Sequence, residues 1–404
     1  MPGTRRKPGR LGPFVDGYRS RLVGLGYTPS SVRNVLKEFS QLGRWMASSD
    51  ITASQLSAAR VEEFVQTRRA GGHQRVPGVR SFTPLLDYLT DEGVITRPAS
   101  TRLTALDELV GRYRLWLVCD RGLAPTTVLR YEKLARRFLG ERVQPGGGVA
   151  TQDLCGADVT RFLLAECARL TVGSAKGRVT ELRALLRFLY LHGLTGRALS
   201  AAVPPVAGWR DTTVPTGLAS EDMERLLGSC DRSQLGGVRD YAILMLLARL
   251  GLRSAEVSRL ELDDLDWRAG EVVVRGKARR EDRLPLLADV GAAIAAYLAA
   301  SPEQAAERAG TRRLFLTVRA PHQPIRPDLV SDVVERACRR AGLPPAGAHR
   351  LRHGLATELL RRGATLVEIS QVLRHSDLAT TAGYAKVDLA RLRQVAQPWP
   401  VISQ

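Results

Sequence analysis

Apolar positions recur at helical spacing along most of the chain. Val32, Leu36, Phe39 and Leu42 fall on one face of a helix that Pro29, Ser30 and Ser31 open, proline being suited to a first helical turn. This pattern runs from Phe14 to about Val94 and returns from Leu109 to about Leu194. The two stretches share an outline: Tyr-Arg, a glycine, a Pro followed by two Ser or Thr residues and Val, then a basic amphipathic run. The later parts echo each other as well, VRSFTPLLDYLTDEGV beside RVTELRALLRFLYLHGL. Such an internal repeat predicts two small helical domains of about 85 to 95 residues, separated near Thr96 to Asp107.

The patterning then changes. Leu199 to Gly217, with Pro204, Pro205 and Pro215, has turn and extended chemistry and reads as a linker. From Leu218 a mixed α/β unit follows. It begins with a helix around Asp222 to Leu227, and Arg239 to Leu250 is apolar enough for a helix buried on nearly all sides. EVVVRGKARREDRLPL, residues 271 to 286, joins a β-branched strand, a charged turn and a second short strand, so it predicts a hairpin with Lys277 near its tip. A helix over Val290 to Ala299, a loop carrying Arg312 and Arg313, a short strand LFLTV and an amphipathic helix over Leu329 to Ala341 come next. The stretch from His349 continues as a helix through Leu355, Leu359 and Leu360 and stops at Gly363. Thr365 and Glu368 then form a capping box for a helix ending near Arg374. Beyond Tyr384, VDLARLRQVAQ is amphipathic, with Val387, Leu389, Leu392 and Val395 available to a groove.

Composition narrows the partner. Lys and Arg total 60 against 41 acidic residues in 404, a formal charge of +19, and such an excess favours a polyanion, most commonly nucleic acid. Residues 1 to 12, with Arg5, Arg6, Lys7 and Arg10 among Pro and Gly, read as a disordered basic arm. No apolar run suits a membrane span or signal peptide, which makes the cytosol the default compartment. The five cysteines are scattered without metal spacing and read as reduced thiols.

The chemistry concentrates near the C-terminus. His349, Arg352 and His353 share one helix face; His375 leaves a helix end, and Tyr384 follows in a segment of small residues. An arginine neutralising non-bridging oxygens, a histidine moving or holding a proton and a tyrosine attacking would suit phosphoryl transfer. Other readings of these residues fail. A zinc pair at His349 and His353 would have Arg350 and Arg352 repelling the dication and no third ligand. A nucleotide-binding loop over Gly270 to Lys277 has the wrong glycine spacing, and Ala278 stands where a hydroxyl is required.

The order His-x-x-Arg-His, Leu-Arg-His-Ser, Thr-x-x-Tyr resembles the catalytic end of the tyrosine recombinases, the phage integrase family. GLRSAEVSRL, from Gly251, is similar to that family's first arginine motif. The resemblance covers roughly residues 216 to 404, and the second helical repeat more loosely resembles the family's core-binding domain. Together with the internal repeat, it implies a multidomain protein with two small all-α, SAM-like or core-binding domains before a mixed α+β, mainly helical catalytic domain with a small antiparallel sheet. The first helical domain lies beyond the family's minimal plan and could bind additional DNA, a partner protein or a neighbouring protomer. The expected boundaries are 1–12 for the arm, 13–95 and 107–198 for the helical domains, 199–217 for the linker, 218–386 for the catalytic domain and 387–404 for the tail.

It also implies roles. Arg253 and Arg352 would clamp the phosphate, Glu256 and His353 would support the site, and Lys277 would protonate the departing 5′ oxygen. His349 would act as acid/base partner, His375 would hydrogen-bond the phosphate or the tyrosine oxygen, and Tyr384 would attack to give a 3′-phosphotyrosyl bond. Arg130, Lys133, Arg136, Arg137, Arg279 and Arg280 are the candidate DNA contacts. The retained bond energy removes the need for a nucleotide cofactor, and no carboxylate cluster calls for a metal. Double-stranded DNA is the implied partner, with protomers joined, as a tetramer on paired sites, through the C-terminal tail; accessory recombinases or DNA-bending proteins stay open. The function implied is site-specific recombination of a mobile element. The rivals are a type IB topoisomerase, which usually has lysine where His349 stands, and a non-cleaving DNA-binding accessory protein of the same fold.

Overall fold

The structure is a computed structural model, and it describes residues 9–73, 76–96, 103–207, 217–276, 280–300, 311–374 and Thr381. Described elements are mainly α-helices with one small antiparallel sheet. By internal contacts the chain divides into two compact units, Thr96–Thr212 and the remainder, Met1–Ile95 with Thr213–Gln404.

Four helices, α1 (Val15–Gly24), α2 (Pro29–Ser48), α3 (Ala58–Ala70) and α4 (Thr83–Asp91), build the first core. Pro29 occupies the first turn of α2, and the Thr28 hydroxyl caps it by accepting the Ser31 N–H. Tyr18 stacks on Phe39 with ring centroids 5.4 Å apart. The expected basic arm overlaps this core, because Gly9–Phe14 form a 3-10 helix in which Leu11 is fully buried. Residues 1–8 lie outside the described residues.

Thr96–Thr212 contains α5 (Ala105–Cys119), α6 (Pro125–Gly140), α7 (Gly156–Cys167) and α8 (Val172–Leu191) around a second core. Two boundaries differ from those read in the sequence. Helix α5 starts earlier than Asp107, which caps it by accepting the Thr104 N–H while the Thr104 hydroxyl accepts the Asp107 N–H. The expected linker is partly core: Leu199–Ala202 form a 3-10 helix, and Leu199 and Val203 are buried against α8 and its neighbours. Residues 208–216 lie outside the described residues.

The third core surrounds α10 (Leu235–Arg249), which follows α9 (Ser220–Gly228) and is buried on nearly every side as its composition requires. Arg239 and Asp240 are nevertheless buried within it, as an ion pair of 2.7 Å, and the Leu316 carbonyl accepts a further Arg239 N–H. After α11 (Ser254–Arg259) come β1 (Leu265–Asp266), β2 (Glu271–Arg275) and β3 (Glu281–Pro285), in that spatial order. The hairpin pairs Val273 with Arg283 and sends Val272 and Val274 into the core, the alternation that strand geometry dictates. Helices α12 (Ala288–Ala299), α13 (Pro327–Arg340), α14 (Ala348–Arg361) and α15 (Leu366–Leu373) complete the described part.

The stretch LFLTV is not a strand. Only single bridges form there, Glu261 with Arg313 and Leu316 with Pro324, and the Leu316 N–H goes to the Tyr297 hydroxyl instead of a ladder. Its residues Leu314, Phe315 and Leu316 are buried. An apolar run of this length marks burial without specifying strand.

Candidate active site

Two glycines let the site's elements meet. Gly217 lies so close to α14 that a Cβ on it would sit 2.5 Å from the Gly354 Cα, and the Leu218 N–H donates to the Arg350 carbonyl nearby. Gly251, just after α10, has φ of 59°. A Cβ there would lie 2.9 Å from Leu373 Cδ2 and 3.1 Å from Leu355 Cδ2. Only glycine suits both the left-handed backbone and the space.

Arg352 spans these elements from α14. Its Nη1 donates to the Gly251 carbonyl and its Nη2 to the Leu373 carbonyl, so the guanidinium ties the α10–α11 loop to the end of α15. It is 3% exposed. Arg253 lies at the start of α11, and its side chain is 37% exposed. Its Nη1 donates to Glu256 Oε1 at 2.6 Å and its backbone N–H to Glu256 Oε2 at 2.9 Å. Glu256 therefore accepts from both the backbone and the side chain of Arg253. Burial would raise its pKa, but the Arg253 N–H and the guanidiniums of Arg374 and Arg253 outweigh burial, so it is held below its usual value and stays ionised.

His349 projects from the first turn of α14. Partial burial, then the charges of Arg352 and Arg253, depress its pKa, while Glu256 opposes them. His353, one turn later and half-buried, is depressed by burial and by the proximity of His349 and Arg352. Near neutral pH both imidazoles are therefore neutral, and a neutral imidazole can accept a proton. The described site accordingly combines Arg253, Glu256, His349, Arg352 and His353, drawn from α11 and α14. Lys277, Arg279, His375 and Tyr384 lie outside the described residues.

The candidate DNA contacts of α6 are engaged with carboxylates. Arg130 pairs with Glu181, Arg136 with Asp107 and Arg137 with Glu166, each at 2.6 Å. Their side chains keep 55%, 48% and 42% exposure, so the pairs fix the cationic heads without burying them. Lys133 is exposed. On the hairpin, Arg280 donates to Asp282 at 2.9 Å.

Sequence reasoning missed two features. One is a cleft of about 420 Å³ within Thr96–Thr212, lined by Arg121, Arg183 and Arg187 with Tyr131, Thr180 and Ser200. The spacing of Arg183 and Arg187, one helical turn apart on α8, was the available signal. The other is Arg374, which is buried and donates to Glu256 Oε2 at 2.9 Å. Nothing local announces it, because its partner is 118 residues away.

Residues 217–391 match the phage integrase family. A putative integrase/recombinase of Sinorhizobium fredii, y4rA, is 37% identical over 98% of this chain and 96% of its own. The tyrosine recombinase XerD of Mycobacterium tuberculosis is 31% identical over 69% of this chain and 93% of its own. Among solved structures, XerH site-specific recombinase bound to difH substrate, a pre-cleavage complex, shares the fold with a TM-score of 0.51 at 18% identity. It covers 85% of this chain and 96% of that one. With 37% identity to one integrase/recombinase along nearly the whole chain and 31% to a tyrosine recombinase over two thirds of it, the chain belongs to the phage integrase family and is a tyrosine recombinase.

Proposed function

We propose that this protein is a site-specific DNA recombinase that cuts and rejoins strands of paired DNA sites through a 3′-phosphotyrosyl intermediate. The observation that carries the reading is the junction at Gly251. The loop that leads into Arg253 accepts the Arg352 guanidinium on a carbonyl, so two cations distant in sequence belong to one site beside His349.

The Tyr384 hydroxyl oxygen attacks the scissile phosphorus, and its proton passes to His349. Arg253 and Arg352 neutralise the charge that spreads over the non-bridging oxygens, an effect worth about 3 kcal/mol per preorganised donor. The bond from phosphorus to the 5′ oxygen breaks as Lys277 supplies that oxygen's proton, while His375 hydrogen-bonds the phosphate. Rejoining reverses these steps with another strand's 5′ hydroxyl, so no nucleotide cofactor is consumed.

DNA is held by two successive helical modules ahead of the catalytic domain. Support for the duplication comes from matching buried positions: Tyr18 with Tyr113, Val32 with Val128 and Leu42 with Phe138. Both second helices start on proline, at Pro29 and Pro125. The modules have diverged in the cleft beside that helix. In the second the cleft carries Arg121, Arg183 and Arg187, whereas in the first it is lined mainly by apolar residues including Val35, Phe82 and Leu85. The second module therefore tracks phosphates, and the first adds DNA or protein contacts. Protomers exchange the tail beyond residue 387 and assemble as a tetramer on the paired sites.

The test is a supercoiled plasmid carrying two copies of a junction cleaved by the protein. A recombinase yields deleted or inverted plasmids. Relaxation of supercoils without rearranged product would instead support type IB topoisomerase action.

A further inference from the structure

Arg374 occupies an unfavourable position on two counts. Its backbone stands at φ 55° and ψ 47°, a left-handed conformation that side chains other than glycine seldom adopt. Its charged side chain is 4% exposed, and removing a charge from water is costly unless partners compensate. Glycine would fit the turn and leave nothing to bury, so the function of this residue has to lie in its guanidinium.

That guanidinium touches three elements. Its Nη2 donates to Glu256 Oε2 of α11 at 2.9 Å, and its Nη1 donates to the Val372 carbonyl at the end of α15 at 3.3 Å. Its Nε, buried and without a hydrogen-bond acceptor, faces Asp282 Oδ2 of β3 at 4.0 Å. Asp282 is engaged by Arg280 at 2.9 Å. The residue before it, Leu373, supplies the carbonyl that holds Arg352.

Charge decides what this arrangement does. Glu256 anchors Arg253 through both oxygens, but an isolated Arg253–Glu256 pair is neutral and would have little net attraction for a phosphodiester. With Arg374 on the same carboxylate, the trio carries one net positive charge. The exposed end of the trio is Arg253 and the buried end is Arg374.

We propose that Arg374 is a positioning residue for strand cleavage: by sharing the Glu256 carboxylate, it cancels that charge while leaving the carboxylate in place to orient Arg253, so Arg253 keeps its attraction for the scissile phosphate. The proposal rests on Arg253 being a phosphate clamp. The same contacts fix the turn whose Leu373 carbonyl holds Arg352 and set it beside β3.

The test uses full-length protein and a nicked DNA fragment recovered with the wild-type covalent adduct, measuring single-turnover cleavage and DNA dissociation constant. Arg374→Gly, which suits the left-handed backbone, and Arg374→Met should slow cleavage roughly 10- to 100-fold, the scale of a weakened transition-state donor. The dissociation constant should change less than about threefold, since most affinity comes from other phosphate contacts. Arg374→Lys should keep much of the rate. Adding Glu256→Gln to Arg374→Met should recover at least about tenfold of the loss, because a neutral amide no longer cancels Arg253, whereas Glu256→Gln alone should slow cleavage. Thermal unfolding of each variant separates misfolding from lost chemistry. Cleavage by Arg374→Gly at the wild-type rate, or a double variant no faster than Arg374→Met, would overturn the proposal. A wild-type protein that binds DNA and forms no adduct would instead overturn the phosphate-clamp assignment beneath it.

Discussion

At the scale of single residues, the site is an exercise in holding charges where they do not neutralise each other. Glu256 is 4% exposed and ionised, and it stays so because it accepts from Arg253 and Arg374 together. His349 and His353 are kept neutral mainly by burial, with the nearby arginine charges adding to it. Their depressed pKa values have a consequence for stability. An unfolded histidine takes up its proton near pH 6.5, whereas these two take it up at lower pH. Between those values the unfolded chain binds more protons, so stability falls as pH drops through about 6.5. The melting temperature should therefore decline from pH 7.5 to pH 5.5 (both about one unit from that midpoint), and more steeply for wild type than for a His349→Gln, His353→Gln double variant. Equal declines would show that neither imidazole contributes.

At the scale of elements, α15 is set by local chemistry and used at long range. The Thr365 hydroxyl accepts the Glu368 N–H at 3.2 Å, and the Glu368 carboxylate accepts the Thr365 N–H at 2.7 Å, starting a helix whose last carbonyl holds Arg352. Thr365→Ala should cost about 1 kcal/mol, visible in thermal unfolding. It should also slow cleavage more than it weakens DNA binding; an unchanged melting temperature would mean the cap is not limiting. This helix was legible in the sequence because its start depends on residues three apart, and so were the Pro29 helix and the hairpin at 271–286. The two-residue strand β1 was not, since Leu265 and Asp266 are too few to show alternation. LFLTV misled because burial alone produced its apolar run. The residues of the site follow the same division. Arg253 and Glu256 were readable as one turn of helix, whereas Arg374's role depends on a contact across 118 residues, and the carboxylates on Arg136 and Arg137 come from 29 residues away.

At the scale of the whole molecule, the described chain holds separate apolar cores, one of which is complete within Thr96–Thr212. In that core Tyr113, fully buried, packs on Phe188 at 5.1 Å, and residues from all four helices are shielded from water. A fragment of residues 103–207 should accordingly fold alone, with a cooperative thermal transition and fixed aromatic signals in near-ultraviolet circular dichroism. A non-cooperative transition would show that this core needs the rest of the chain. No helix among the described residues is long and apolar enough to cross a membrane. The net charge of +19 suits a protein that binds a polyanion. The proposed function turns on one reaction, the formation of a covalent bond between Tyr384 and a DNA strand. The most direct measurement is to incubate wild type and Tyr384→Phe with nicked host DNA, then isolate and sequence adducts that survive SDS. Adducts from wild type alone, enriched at particular junctions, are the predicted result. Adducts of equal yield from Tyr384→Phe, or none from a wild-type protein that demonstrably binds the DNA, would contradict it.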